Sequence, residues 1–449
     1  MSDKASNVNT NEGAKPQAQS EREPMDKSVA QKTAQAENLT SGGHPLPSDW
    51  FRRIVLIWAG YAVALLAGSA ASYACIWYAT ETTGSPLSLA FLYVLAFLPT
   101  GLLSPFGGVL ADRLNRKIII VASDSIMALA SLALAAWTFI VGPGFVPVAL
   151  YCAAYGLVSG FRTPAYNATM PLLVPARHLV RINSMDTLLG SISLIAGPAL
   201  GILLYTSFGL QSTLLLGSIG AAIAAATMLL AVIPSDQGTH EHAGAWASLR
   251  EGASALAEQR GLLVLTIGVS LGMLAYGPID SLIPLMVHNH FGGDGLAASL
   301  VAAVMGIGLF VGSVGLMVVN PQRRLARIIV VAAYIVGGGA VASGMIPSTG
   351  FWIFVACIGV LAIACAWFNA PLMTLLQKGV PEEKLGRVMG LFTAMNGMAI
   401  PAGTAVGGAV AEATGTPLFF VIDGAFLLVL ATVLALSKSV RALDANSDE

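Results

Sequence analysis

Four aspartates and one arginine stand where this 449-residue chain otherwise holds almost no charge: Asp124, Arg162, Asp186, Asp280 and Asp423. All five lie inside long apolar stretches. An ionisable group near a bilayer centre costs on the order of 3 kcal/mol on insertion scales, so each one needs a reason. A carboxylate there can carry a proton, pair with a buried cation or complement a helix end. Asp280, in YGPIDSLIP, is flanked by Pro278 and Pro284, whose missing N–H groups favour an irregular, hydrated stretch. It is the first candidate for a proton carrier; the alternative is a helix-end Asp satisfied by water. Asp124 is the second candidate, either as carrier or paired with Arg113 or Arg116. Arg162 is the sole intramembrane base, placed to partner a deprotonated carboxylate or to snorkel to the surface. Asp186 reads as a helix N-terminal residue complementing the dipole. Asp423 receives no role.

These residues need helices to position them, and composition says which kind. The chain is 55% hydrophobic and 10% charged, far from an ordinary soluble domain. A spanning helix takes roughly 20 apolar residues. Twelve spans result: 54–79, 88–110, 118–141, 146–172, 183–206, 211–234, 262–286, 296–319, 327–346, 351–376, 388–410 and 417–437. Residues 1–50 are polar and are expected to form a disordered cytoplasmic tail without a cleavable signal. Of the 23 Lys and Arg, all but Arg162 fall in the tails or in alternate loops, so those loops and both termini are expected to be cytoplasmic.

The one long internal connection, 235–261, is expected to carry a short amphipathic helix and to divide the spans six and six. A repeat supports the division. Val174-Pro175 precedes Arg181 by the same interval as Val380-Pro381 precedes Arg387, 206 residues further on. The expected fold class is all-α integral membrane, with twelve transmembrane helices in two pseudo-symmetric bundles at 51–234 and 262–437, and a cytoplasmic tail over 438–449. A parallel repeat of this kind places a substrate site at the interface of the halves.

Between spans 2 and 3 the chain reads GGVLADRLNRK. Gly108, Asp112, Arg113, Arg116 and Lys117, with Leu110 and Ala111, resemble the signature loop of the major facilitator superfamily; Asn115 replaces its usual Gly, tolerable because Asn accepts the left-handed region. The resemblance implies a cytoplasmic gate. Asp112 would meet the positive N-terminus of span 11, near Arg387 and Val388, while the basic residues find acidic partners across the bundle. The corresponding loop of the second half keeps Gly315 and Arg323 but has Val319 at or beside the Asp position, so the gate would be asymmetric. In span 5, GSISLIAGPALG resembles the antiporter signature of superfamily exporters through Gly190, Gly197, Pro198 and Gly201, with Ile202 in place of the final Gly. Pro bends a helix and Gly admits a close neighbour, implying a tight, bent interface between the halves.

Further stretches, among them FRTPAYNATMPLLVP and GRVMGLFTAMNGMAIPAG, are similar to the macrolide-efflux branch of the drug:proton antiporters. That resemblance implies export of amphipathic drugs in exchange for protons by alternating access. A lipid or siderophore cargo on the same scaffold is the alternative; an uptake carrier or a non-transporting receptor fits less well. Some such exporters use an Arg higher in span 4, but the matching position here is near Tyr155. A pocket for a large amphipathic molecule wants aromatic and amide groups, and the candidates are Tyr61, Tyr73, Tyr155, Asn167, Tyr276, Trp367 and Asn369.

Other chemistry is excluded or disfavoured. There is no GxxxxGK[ST] phosphate loop, so ATP is not the direct driver by that route; the resemblance implies the proton gradient as energy source, with no cofactor. His240-x-His242 and His288-x-His290 lack a third ligand, so no metal is expected. Cys75, Cys152, Cys357 and Cys365 fall in predicted helices and suggest no disulfide framework. Dispersed basic residues argue against nucleic acid. The chain is expected to be no enzyme, to contact membrane lipid and to work as a monomer.

Overall fold

The computed structural model describes residues 50–174, 179–231, 245–319, 321 and 323–445. The expected N-terminal tail, up to residue 49, and all of 235–244 lie outside them. Among the described residues there is no strand. The first set of helices is α1 (Trp50–Thr83), α2 (Pro86–Arg113), α3 (Arg116–Ile140), α4 (Phe145–Leu173) and α5 (Leu179–Leu230). A short connecting helix, α6 (Ala245–Ala257), follows. The second set is α7 (Arg260–Leu285), α8 (Gly295–Val319), α9 (Leu325–Met345), α10 (Phe351–Gly379), α11 (Glu382–Thr414) and α12 (Thr416–Leu436), closed by α13 (Lys438–Ala445).

Ten of these helices are long and apolar enough to cross a membrane. Two physical features separate ten from the expected twelve. Helix α5 is broken at Gly209 (φ 78°, ψ 170°), a conformation open to glycine alone, so one continuous element carries two predicted spans back to back. Helix α11, with 33 residues, is long enough, but Asn396, Pro401, Thr404 and several glycines dilute the apolar character of its middle. The repeat is visible in the backbone. Gly415 (φ 85°, ψ 149°) makes the same one-residue reversal between α11 and α12, 206 residues after Gly209, the spacing that separates Pro175 from Pro381.

Local sequence sets the other ends. Ser85 caps α2 with Pro86 at its first position, its Oγ accepting from the Ser88 amide at 3.2 Å. Asn115 does not take the left-handed conformation that would excuse it as a glycine substitute. At φ −63° and ψ 111° it caps α3, accepting from the Lys117 amide at 3.0 Å.

The two sets meet along two seams. Helix α2 lies against α11, where a Cβ on Gly101 would stand 2.8 Å from the Gly397 carbonyl oxygen and one on Gly408 would overlap Ala90. The first arm of α5 lies against α8, with Gly306 seated on Ile195 and the Ser299 hydroxyl donating to the Ala199 carbonyl at 3.4 Å. Both seams continue to the end that carries Gly84, Gly209 and Gly415. There Glu412 of α11 accepts from the Ser85 hydroxyl (2.7 Å) and the Leu87 amide (3.2 Å), and Asn289 donates to the Gly84 carbonyl (2.9 Å). A carboxylate on the first turn of α2 is favoured by that helix's positive end.

At the opposite, basic end the corresponding bonds stay within one set. Arg116 donates to the carbonyls of Ala111 (3.1 Å) and Ala168 (2.9 Å), and Lys117 to those of Leu229 and Ala231 (both 2.7 Å), cations placed on helix C-termini. Arg387 pairs with Glu251 of α6 at 2.5 Å and Lys384 with Glu258 at 2.9 Å. Gly252 of α6 sits directly on the backbone of Arg387 and Val388. The helix N-terminus expected to receive the signature loop is therefore covered by α6. Asp112 and Arg113 complete the last turn of α2, and their side chains lie outside the described residues.

Candidate functional site

Helix α7 positions Asp280. The sequence suggested an irregular stretch between Pro278 and Pro284, but the α-helix runs through both and gives way to a π turn only over Met286–His290. The prolines act on the backbone without breaking it. Pro284 leaves the Asp280 carbonyl, four residues earlier, without its helical N–H, and Pro278 does the same for Leu274. Helix α11 exploits the second gap: Gly403 is packed so closely on the Leu274 carbonyl that a Cβ there would overlap it, and Gly407 rests on the Pro278 ring.

Asp280 lines a chamber of about 40 Å³ with Tyr73 of α1, Tyr93 of α2, Pro198 and Ile202 of α5, and Met305 of α8. Four helices of both sets thus enclose one carboxyl group with α7. Among the described residues no cation pairs with it. Tyr73 and Tyr93 line both this chamber and a second cavity of about 230 Å³, and so stand between the two. That cavity is held within the first set by Ser69, Ser72, Phe97, Tyr155, Gly190 and Ser193, among others. Tyr93 was missed from the sequence; the signal was its spacing of one helical turn from Phe97, whose ring lies 5.7 Å away on the same face.

The other two proton-coupling candidates lie elsewhere, paired with each other. The Arg162 Nε meets an Asp124 carboxylate oxygen at 2.5 Å, and Asp124 is 3% exposed. Arg162 of α4 thus engages Asp124; of the basic residues expected beside it, Arg116 donates to the Ala111 and Ala168 carbonyls, and the Arg113 side chain lies outside the described residues. The Arg162 guanidinium also stands 5.1 Å above the ring of Tyr61, which stacks on Tyr166 at 4.1 Å. Tyr166 in turn donates to Asp186 (3.4 Å), as does the Trp58 indole N–H (3.0 Å). Asp186 lies two turns into α5 and is held by these donors, not by the helix N-terminus. The network ties α1, α3, α4 and α5 together. With a rise of about 1.5 Å per residue, Arg162 is about 17 Å from the basic end of α4, whereas Asp280 is about 30 Å from that end of α7, so the two cannot meet here.

The span 5 glycines act within the first set. Gly197 is pressed on the Ser69 side chain and Gly201 on the Ala70 backbone, so they let α5 close on α1; the opposite face of α5, through Ile195, Ala199 and Ile202, meets α8. Gly190 borders the larger cavity. Gly108 faces open space. Of the remaining cavity candidates, Tyr276 stands one helical turn before Asp280 on α7. Trp367 is committed to packing, its indole donating to the Gly312 carbonyl at 2.8 Å. Tyr61 belongs to the Arg162 network, Asn167 is exposed, and the Asn369 side chain lies outside the described residues. Asp423 has a buried carboxylate oxygen without a hydrogen-bond partner. Among the described residues no group of His, Cys, Asp and Glu could hold a metal ion.

A model of the Major Facilitator Superfamily matches residues 57–343 and 322–448. The chain belongs to that superfamily. It is a multi-pass membrane transport protein, not an enzyme. It is 30% identical over 401 residues to Macrolide efflux protein A of Streptococcus pyogenes, covering 88% of this chain and 98% of that one. A protein of the same name from Enterococcus faecalis is 31% identical over 324 residues, covering 71% and 99%. Enterobactin exporter EntS of Escherichia coli is 26% identical over 340 residues, covering 74% and 78%. Among solved structures, the nucleoside transporter NupG superposes with a TM-score of 0.68 at 17% identity, covering 85% of this chain and 99% of that one. A bacterial homolog of the human lysosomal transporter Spinster, inward-facing and unoccupied, gives 0.65 at 15% identity, covering 89% and 99%. The fold is that of the superfamily's transporters.

Proposed function

We propose that this protein exports amphipathic drugs of the macrolide type from the cytoplasm or inner leaflet in exchange for protons. The observation that carries the reading is Asp280: a carboxyl group without a cation partner, in a chamber built by helices of both halves, directly beneath the seam that closes one end. In this reading the chain crosses twelve times, its bundles spanning 51–234 and 262–437, and the basic end with both termini is cytoplasmic. The seams of α2 with α11 and of α5 with α8 seal the outside, so the structure stands inward-facing.

Asp280 then works at the outer seal. Parting α5 from α8 wets the chamber and lets the carboxyl group take a proton from outside. Resealing carries that proton as a neutral acid to the cavity behind Tyr73 and Tyr93, where cargo entering from the cytoplasm replaces it. The tyrosines, Tyr155 and Phe97 supply the aromatic lining such a cargo needs. Arg162, neutralised by Asp124, holds the first bundle together and takes no proton; Arg116, Lys117 and Arg387, with Asp112, form the inner gate when the halves rock. No cofactor takes part, and a monomer suffices.

Likeness to Macrolide efflux protein A over most of both chains supports the drug cargo, and likeness to EntS supports a siderophore as the second reading. Inside-out vesicles with an acid interior decide between them. Labelled macrolide should accumulate in a manner that a protonophore abolishes and Asp280→Asn loses. Accumulation of labelled enterobactin alone would move the cargo to siderophores; accumulation of macrolide that survives in the Asn variant would remove Asp280 from the proton path.

A further inference from the structure

At the basic end, the first turns of α9 and the corner between α12 and α13 enclose a concavity of about 580 Å³ that the transport path does not use. Three arginines line it: Arg324, Arg327 and Arg441. The carboxylate beside them is already engaged. Asp444 accepts from the Ala326 and Arg327 amides at 3.0 Å each, capping α9. None of the three guanidinium groups pairs with a carboxylate among the described residues; Arg441 gives its Nε to the Ala435 carbonyl at 2.6 Å. The site therefore holds more positive charge than its one Asp offsets.

Backbone conformation adds an independent sign. Arg324 is the one non-glycine residue with positive φ among those described (φ 58°, ψ 33°), a region that side chains other than Asn, Asp and Gly rarely adopt. Outliers of this kind persist where the surroundings over-determine them and cluster at ligand clamps. Below the arginines the wall turns apolar. Val331 is 46% exposed and Tyr334 37%, and they continue the concavity down the lipid-facing side of α9, with the Tyr334 hydroxyl on Thr432 of α12 at 2.9 Å.

Guanidinium forks match phosphate oxygens in charge and geometry, and an apolar groove leading from them along a transmembrane helix matches an acyl chain. Basic pockets between transmembrane helices at the headgroup level select anionic lipid. We propose that this pocket binds the phosphate of an anionic phospholipid, with one acyl chain lying along Val331 and Tyr334. The site rests on the membrane placement of α9 and α12 and is independent of cargo and proton coupling. A lipid there would brace α13 against α9 and fix the second bundle at its basic end.

The test places the native protein in nanodiscs of phosphatidylcholine with or without phosphatidylglycerol, and measures co-purifying phosphatidylglycerol by mass spectrometry together with the unfolding temperature. Native protein should enrich phosphatidylglycerol over the bulk ratio and gain thermal stability from it. Each of Arg324→Gln, Arg327→Gln and Arg441→Gln should weaken that binding roughly fivefold, the equivalent of about 1 kcal/mol per surface arginine. Unfolding in phosphatidylcholine alone, unchanged from native, shows that the variants fold. Should Arg324→Gln or Arg327→Gln disturb the start of α9, Arg441→Gln alone decides, since it lies on the terminal helix. Equal enrichment by native and variants, or equal protection by phosphatidylcholine, would overturn the site. Glycerol 3-phosphate protecting detergent-solubilised protein as well as phosphatidylglycerol does would assign the arginines to a soluble phosphate ester and overturn the lipid.

Discussion

Replacing Arg162 by Met should expose how the first bundle is held together. The substitution keeps most of the side-chain volume but leaves Asp124, 3% exposed, without its cation and removes the guanidinium from the Tyr61 ring. Two charges about 4 Å apart at an effective dielectric of 20 interact by about 4 kcal/mol. The Arg162 side chain keeps 16% of its exposure, which discounts that figure, while the cation–π contact contributes about 1 kcal/mol more. Stranding one partner of a buried pair costs about 3–5 kcal/mol, so Arg162→Met should shift the unfolding equilibrium by at least a hundredfold. Asp124→Asn alone should cost less, since the longer Arg side chain can reach water. The double variant should recover most of the loss, because a buried pair replaced by neutral groups is often neutral in stability. Unfolding of all four proteins in detergent, read as a double-mutant cycle, measures the coupling. A coupling below about 0.5 kcal/mol, within the additivity of independent sites, would refute the pair as a structural tie.

Two further outcomes follow from the geometry. Gly209→Ala should destabilise by about 1–3 kcal/mol, because φ 78° with ψ 170° is closed to a Cβ, whereas Phe208→Ala beside it, on an exposed side chain, should change little; thermal unfolding compares them. Glu412→Gln removes the negative charge from the first turn of α2 and should weaken the contact between the two sets at that end by about 1 kcal/mol. The population open at that end should rise several-fold, read as modification of a cysteine placed at Ala302 beside Asp280, and no change would show that the seams alone hold the seal closed.

Much of the architecture was legible along the chain. Uninterrupted apolar runs can satisfy their backbones in a membrane only as helices, so span positions follow from composition with errors of a few residues. The repeat was legible because Pro175 and Pro381, Arg181 and Arg387 keep one spacing, and the structure extends it to Gly209 and Gly415. Asp280 stood out because a carboxylate between two prolines in an apolar run is rare, and the structure encloses it in a chamber. The partners were not legible. Asp124 and Arg162 are 38 residues apart on different helices, and nothing local says that Arg162 points at Asp124 while Arg116 turns to the Ala168 carbonyl. The span 5 glycines announced a close approach, but only the rotation of α5 about its axis decided that the neighbour is α1.

The sequence by itself thus determined what is short-range: where helices start, stop and reverse, which residues are too polar for their surroundings, and which end is basic. The tertiary structure alone decided what depends on how helices turn and slide against each other. It put Tyr73, Tyr93 and Asp280 around one chamber, paired Arg162 with Asp124, and laid α6 over the start of α11 where a gate was expected. A side chain's partner is set by the relative rotation of two helices as much as by its own place in the chain. The 3.6-residue period says which residues share a face, and only packing says what that face meets.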